Sequence, residues 1–222
     1  MQRIHKKKIL IVGAGLAGAT IARVLAENGL KVEIIEKRNH IAGNIYDYVN
    51  CINERIHKYG PHLLHCNKND KALKFLSKFT DWVIYEHRVR ALLPNGKTTP
   101  LPVNKETLED IYSKSFKNEN EVKSFLESIR NKELIPQNTD EFFEANVGKK
   151  IADLFFRPYT KKMWGIDPKE LSISIGARLP IRTNSDDRYF NDSFQALPKE
   201  GYTKMIEKML NHINIKVNLN ST

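Results

Sequence analysis

The chain has 222 residues, 41% of them hydrophobic, which is enough to bury a core in one large domain or two small ones and excludes a disordered polymer. No apolar run approaches the ~20 residues of a membrane span, and Met1 to Lys8 leads into a strand pattern rather than a signal peptide, so a soluble cytoplasmic protein is expected. The formal net charge of +10 invites a nucleic-acid reading. However, the basic residues are scattered and interleaved with acids, no helix-turn-helix, RNA-recognition or zinc-finger pattern occurs, and anionic ligands explain a basic balance as well, so no nucleic-acid partner is expected.

The first elements form one βαβ unit. Ile9 to Val12 read as a buried parallel strand, Leu16 to Asn28 as a helix closed by Gly29, and Lys31 to Glu36 as the next strand. Gly13, Gly15 and Gly18 lie between strand and helix in the spacing G-x-G-x-x-G. The first permits the tight turn, the second lets a pyrophosphate approach the backbone, and the third brings helix and strand together. A diphosphate would sit on the helix N-terminus, where unpaired N–H groups and the positive dipole end favour an anion. Glu36 falls where a carboxylate meets the ribose hydroxyls of a dinucleotide, which disfavours a 2′-phosphate and hence NADP. Glu36-Lys37-Arg38 then runs into Ile41-Ala42-Gly43-Asn44. This segment resembles the second half of the FAD signature in glutathione-reductase-like flavoproteins, with Ala42 standing where the first of two glycines is usual.

Tyr46 to Ile56 alternate as a strand pair. His57, His62 and His65 surround the turn Tyr59-Gly60-Pro61 without a convincing ligand spacing, and Cys51 and Cys66 are too few for a disulfide framework, so no metal is expected. A helix is predicted over Asp70 to Phe79, and Pro94-Asn95-Gly96 reads as a β-hairpin turn. From Lys105 to about Lys162 the apolar spacing turns helical, with Asn138 or Thr139 capping one helix and Pro158 interrupting or starting the last. After Ser172 the chain becomes polar and aperiodic, then closes as an amphipathic helix and the strand INIKVNL.

Between Phe155 and Thr203 aromatic and cationic residues are dense. Most of the aromatics suit a core, but Tyr159, Trp164, Tyr189, Arg178 and Arg182 also suit a base plus phosphates, through stacking and bidentate hydrogen bonds. In order, the glycine loop with Glu36 to His40, HKYGPHLLH, YTKKMWG, RLPIR and YFNDSFQALPKEGYTKMIEKML are similar to the prokaryotic UDP-galactopyranose mutases, over essentially the whole chain. The resemblance implies an α/β fold in which a Rossmann-like FAD-binding domain carries an inserted mainly helical domain and part of an antiparallel substrate sheet. Its segments are 1–80 for FAD, 81–104 for the sheet hairpin, 105–170 helical, 171–200 for a mobile loop and sheet segment, and 201–222 returning to the FAD domain.

The activity implied is interconversion of UDP-galactopyranose and UDP-galactofuranose for cell-surface polysaccharide. It works by attack of the reduced FAD N5 on the anomeric carbon, in a protein that is a homodimer when complete. Gly13, Gly15, Gly18 and Glu36 match the FAD pyrophosphate and ribose contacts, with Lys37, Gly43, Asn44 and His62 near the cofactor. Tyr159 matches the aromatic on uracil beside Phe155 and Phe156. Thr160 and Trp164 match residues at the uridine ribose, Arg178 a mobile arginine that reaches the diphosphate, and Tyr189 a hydroxyl donor to phosphate. Family members are longer, so the chain is expected to be an N-terminal portion with little activity alone. The competing readings are an amine-oxidase-like FAD oxidoreductase, which has no need of a uridine site at Trp164 and Arg178, and a non-catalytic nucleotide-binding fragment.

Overall fold

The structure is a computed structural model that describes residues 8–221. The chain divides into two compact units, the first running to Tyr85 and resuming at Asp192, the second comprising Glu86–Asn191.

The first unit opens with β1 (Lys8–Val12), α1 (Leu16–Glu27) and β2 (Lys31–Ile35), the two strands parallel from Lys8↔Lys31 to Val12↔Ile35. α1 presents Ala19, Ala22 and Ala26 to the sheet, so only small side chains separate the backbones. β3 (Asp47–Val49) and β4 (Arg55–His57) pair antiparallel, and β5 (Leu64–Cys66) follows. Asp70 caps α2 (Lys71–Leu76) by accepting from the Ala72 amide. The expected extension to Phe79 is instead a tighter turn, with Lys78 and Phe79 bonding three residues back. β6 (Trp82–Ile84) ends this part.

The second unit begins with the hairpin of β7 (Val89–Leu92) and β8 (Thr98–Leu101), turned through Pro94-Asn95-Gly96. α3 (Lys105–Tyr112), α4 (Glu119–Ile129) and α5 (Thr139–Ile151) each start on an asparagine, Asn104, Asn118 and Asn138, whose side chain accepts from the third helical amide. Their apolar faces meet around Leu108, Val122, Phe143, Val147 and Ile151. Near its end α5 is kinked at Gly148, φ +75°, where an added Cβ would lie 2.3 Å from the Ile129 carbonyl oxygen. A π-type turn over Ala152–Phe156 leads into α6 (Arg157–Trp164), with Pro158 in its first turn, and α7 (Ile173–Gly176) precedes the polar loop.

Back in the first unit, β9 (Phe194–Pro198) lies between β5 and β6 in an antiparallel sheet. α8 (Tyr202–Leu210) packs against α1, and β10 (Ile215–Asn218) adds parallel to β2. The buried Asp47 carboxylate accepts from the Tyr202 and Thr203 amides at 2.8 Å each, capping α8 from the far end of the sequence. The α/β fold with an inserted mainly helical unit is therefore observed. One expectation is corrected. β1 is not buried on both faces: side chains alternate along a strand, so Ile9 and Ile11 turn to the packed side while Leu10 and Val12 turn to the other and are 60% and 79% exposed. No helix among the described residues is long and apolar enough to cross a membrane.

Candidate functional site

Two clefts carry the residues singled out from the sequence, one in each unit. In the first unit, Gly13 turns the chain at φ +97° while its amide donates to the Ile35 carbonyl at 2.7 Å. An added Cβ at Gly18 would stand 2.0 Å from the Gly13 carbonyl oxygen, so the helix can sit this close to the loop only with glycine there. Gly15 and Gly43 face one another, and Ala42 takes the left-handed conformation, φ 72°, that glycine would ordinarily supply. α1 starts at Gly15 with no side-chain cap and no acid in its first turn, leaving its amides open to an anion.

Glu36 is 6% exposed and accepts at 2.9 Å from the Ala14 amide on one oxygen and from the Arg38 amide on the other. Burial alone would raise its pKa, but the two amides and the Arg38 charge outweigh it and hold the carboxyl below its ordinary value. Each carboxylate oxygen keeps a further lone pair for a hydroxyl donor. The cleft beside it, about 660 Å³, includes Val12, Gly13, Lys37, Gly43 and Asn44. Arg38 lies over the Tyr59 ring at 4.6 Å and donates to the Asn44 side chain at 2.9 Å. The ring of His40, the last residue of the Glu36 to His40 stretch, stacks on Tyr46 and bonds Tyr59 Oη at 2.8 Å. Ser221 also lines the cleft, brought there by its amide bond to the Glu36 carbonyl; no local motif announces it. His62 is half-buried, its Nδ1 2.9 Å from the Gly60 carbonyl, and does not line this cleft.

In the second unit a pocket of about 280 Å³ is walled by α6, α7 and the polar loop. Tyr159, Thr160, Trp164, Arg178 and Tyr189 all line it, with Met163, Ile175, Leu179 and Phe190. Met163 was legible in principle, because it lies four residues after Tyr159 on the same helical face. The Tyr159 and Tyr189 hydroxyls bond one another at 2.8 Å. Burial, then that bond, push the Tyr189 phenol well up, so it is a neutral donor at physiological pH. Trp164 is 47% exposed with its indole at the pocket wall. Arg178 is exposed, and its guanidinium makes no hydrogen bond or ion pair among the described residues. Arg182, grouped with it on sequence grounds, is buried and engaged by its own loop, and does not line the pocket. Phe155 and Phe156, expected beside the base, belong to the core, where Phe156 stacks on Phe143 at 4.6 Å.

Two comparisons by sequence bear on these clefts. The profile of an NAD(P)-binding Rossmann-like domain matches residues 11–79, and that of the UDP-galactopyranose mutases matches residues 154–222, which include the pocket of the second unit. The "Probable UDP-galactopyranose mutase" of Klebsiella pneumoniae is 39% identical over 97% of this chain and 56% of its own length. The chain is similar to the UDP-galactopyranose mutases over nearly its whole length. It spans about half the length of the curated relatives it matches, including the dTDP-fucopyranose mutase of Escherichia coli at 39% identity over 96% of this chain and 56% of that protein. Among solved structures, reduced UDP-galactopyranose mutase shares the fold with a TM-score of 0.71 at 20% identity, over 95% of this chain and 48% of that one.

Proposed function

We propose that this chain carries the cofactor and substrate sites of a flavin-dependent mutase that interconverts UDP-galactopyranose and UDP-galactofuranose. The carrying observation is the convergence of Tyr159, Thr160, Trp164, Arg178 and Tyr189 on one pocket, in a chain similar to the UDP-galactopyranose mutases. FAD fits the first unit on the structure's own terms. Gly18 lets α1 sit against the Gly13 carbonyl, the amides of α1 are uncapped, and the ionised Glu36 has acceptor capacity to spare. When bound and reduced, FAD supplies the nucleophile for a ring contraction without net redox change.

The protein's part is binding and orientation. The loop amides hold the FAD diphosphate, Glu36 accepts from the adenosine ribose, and Lys37, Gly43 and Asn44 form the cleft mouth, with His62 on the adjoining turn. In the second unit Tyr159 and Trp164 hold the base and ribose by stacking, with Thr160 at the ribose. Tyr189 donates to a phosphate and Arg178 swings onto the diphosphate. A nucleotide-sugar substrate suits a cytoplasmic place of action.

A second reading, a dTDP-sugar substrate, is favoured by the equal identity to the dTDP-fucopyranose mutase. The test is incubation of the chain with dithionite-reduced FAD and either UDP-galactofuranose or the dTDP-fucofuranose counterpart, followed by chromatography of the sugar isomers, with UDP and dTDP titrated separately against Trp fluorescence. Binding of UDP in preference to dTDP supports the first reading. Turnover is expected to be low, since a small misplacement of reacting groups costs about a hundredfold. Failure of both nucleotides to bind at millimolar concentration refutes both readings.

A further inference from the structure

The two arginines of RLPIR are in opposite states. Arg178 is exposed and unpaired among the described residues, whereas Arg182 is 9% exposed and its guanidinium is wrapped by the loop that follows it. One terminal nitrogen donates to the carbonyls of Arg188 at 2.5 Å and Asp186 at 3.3 Å. The other donates to the Phe190 carbonyl at 3.4 Å and the Asn191 side-chain oxygen at 2.6 Å. Four acceptors spread over Asp186 to Asn191 thus converge on one rigid, planar group, which lysine could not reproduce.

The same stretch is tied from outside. The Arg182 amide donates to Val103, the Asn184 carbonyl accepts from Lys105, and the Tyr189 amide donates to His87 at 2.7 Å. Arg188 pairs with Asp186 at 2.8 Å, and Asp187 accepts from Arg88 at 2.8 Å. Tyr189 sits inside this frame, between two carbonyls that Arg182 holds, and delivers its hydroxyl to Tyr159 in the pocket. Burial lowers the Arg182 pKa, with the Asp186 carboxylate 3.8 Å from its Nε opposing that shift.

We infer that Arg182 is a positioning residue, which fixes the Asp186–Asn191 loop around its guanidinium so that Tyr189 is presented to the diphosphate of a nucleoside diphosphate in the adjoining pocket. The inference rests on the pocket's reading as a nucleotide site but assigns Arg182 no contact with the ligand. It accounts for the chemistry of the segment. A cation placed beside a phosphate site without touching it is spent on preorganising a neutral hydroxyl, and Arg178 is left to supply the mobile charge.

The test uses the 222-residue chain, with hydrogen exchange followed in the ligand-free protein and UDP as the titrated probe. Arg182→Lys keeps the charge and loses the fork. It is expected to speed exchange of the Tyr189 and Arg188 amides, which donate to the His87 carbonyl and the Asp186 carboxylate, at least about tenfold, the weight of one hydrogen bond to a charged group, while the Phe143 and Val147 amides of the core are unchanged. UDP affinity should fall by a similar factor. Adding Tyr189→Phe to Arg182→Lys should cost much less than Tyr189→Phe costs in the parent, because the hydroxyl is already misplaced. A role confined to general stability predicts additive losses and equal acceleration in the core, and either result overturns the inference. Asn191→Ala removes one of the four acceptors and should reproduce the pattern at smaller size, which keeps the test decisive if Arg182→Lys folds poorly. If the parent binds no UDP, the nucleotide reading fails by itself, and the exchange data still decide whether Arg182 holds the loop.

Discussion

Glu36→Ala offers the sharpest test of the first unit, because the carboxylate holds the loop before it holds any ligand. The substitution leaves the Ala14 and Arg38 amides without their acceptors, each now at 2.9 Å. A hydrogen bond to a charged group contributes about 1.5–3 kcal/mol, so the pair is worth about 3–6 kcal/mol. The Arg38 amide is only partly buried and regains water, which puts the expected loss near the lower end, about 3 kcal/mol. Glu36→Gln keeps one carbonyl oxygen and should lose about half as much. The assay is urea denaturation of parent and variants at pH 7, read by circular dichroism at constant m.

The pH dependence of that difference has a defined sign. The folded pKa of Glu36 lies below its ordinary value of 4.5, so the contribution is complete above 4.5 and is lost as pH falls through the folded value. Parent and Glu36→Gln should therefore differ by a constant amount from pH 7 to 5 and converge in more acid solution. A loss under about 1 kcal/mol for Glu36→Ala, or a gap that closes already between pH 7 and 5, would refute the reasoning. The result also bears on flavin retention. A drop in Glu36→Ala mixes the lost ribose acceptor with a displaced Ala14 amide, and only the comparison with Glu36→Gln at matched stability separates them.

Three further outcomes follow from the same geometry. Arg178→Lys should leave the melting temperature unchanged, since the guanidinium makes no hydrogen bond or ion pair among the described residues, while weakening UDP affinity about tenfold by replacing a bidentate donor with a point charge; a thermal scan checks the first and calorimetric titration the second. Gly18→Ala should abolish flavin retention, because its Cβ meets the Gly13 carbonyl at 2.0 Å and the loop must move; retention equal to the parent would contradict this. Arg157→Ala should destabilise by about 1.5–3 kcal/mol in chemical denaturation, the weight of a hydrogen bond to a charged group in a part-buried cluster. Asp140, 7% exposed, loses a bidentate arginine that also binds Glu144 and Asp153.

The parts of the molecule legible in the sequence are those encoded within a few residues of one another. The βαβ unit, the hairpin at Pro94-Asn95-Gly96 and the asparagine cap at Asn138 depend on backbone conformations and short-range donors that particular residue types impose. The pocket residues of α6 were legible from their types, as was the assignment of most of the aromatics to a core; which core side chains they pack against was not. A π-type turn over Ala152–Phe156 shifts the helical phase between α5 and α6, so a 3.6-residue count from Phe143 cannot tell which later aromatic turns inward. Long-range partners were invisible for the same reason. Nothing near Arg182 announces that its own loop will encircle it, nor does Asp47 announce that it caps a helix beginning at Tyr202. The exposure of Leu10 and Val12 is of this kind as well, since an apolar run reports what suits a strand and not whether anything covers its second face.

Where donors are left open is informative because closing them is inexpensive elsewhere in the same chain. α3, α4 and α5 spend an asparagine each on their first amides, and α8 borrows Asp47. Such a cap stabilises by about 1 kcal/mol. α1 begins on Gly15 and forgoes it, with an ionised Glu36 engaged on the preceding Ala14 amide rather than on the helix. The RLPIR segment repeats the contrast with cations, one satisfied four times over and one unpaired among the described residues. A fold selected for stability alone would close both. Uncapped amides in the first unit and an unpaired guanidinium in the second are what a protein keeps when anionic oxygens complete its hydrogen bonds, and each lies where the family resemblance puts a diphosphate.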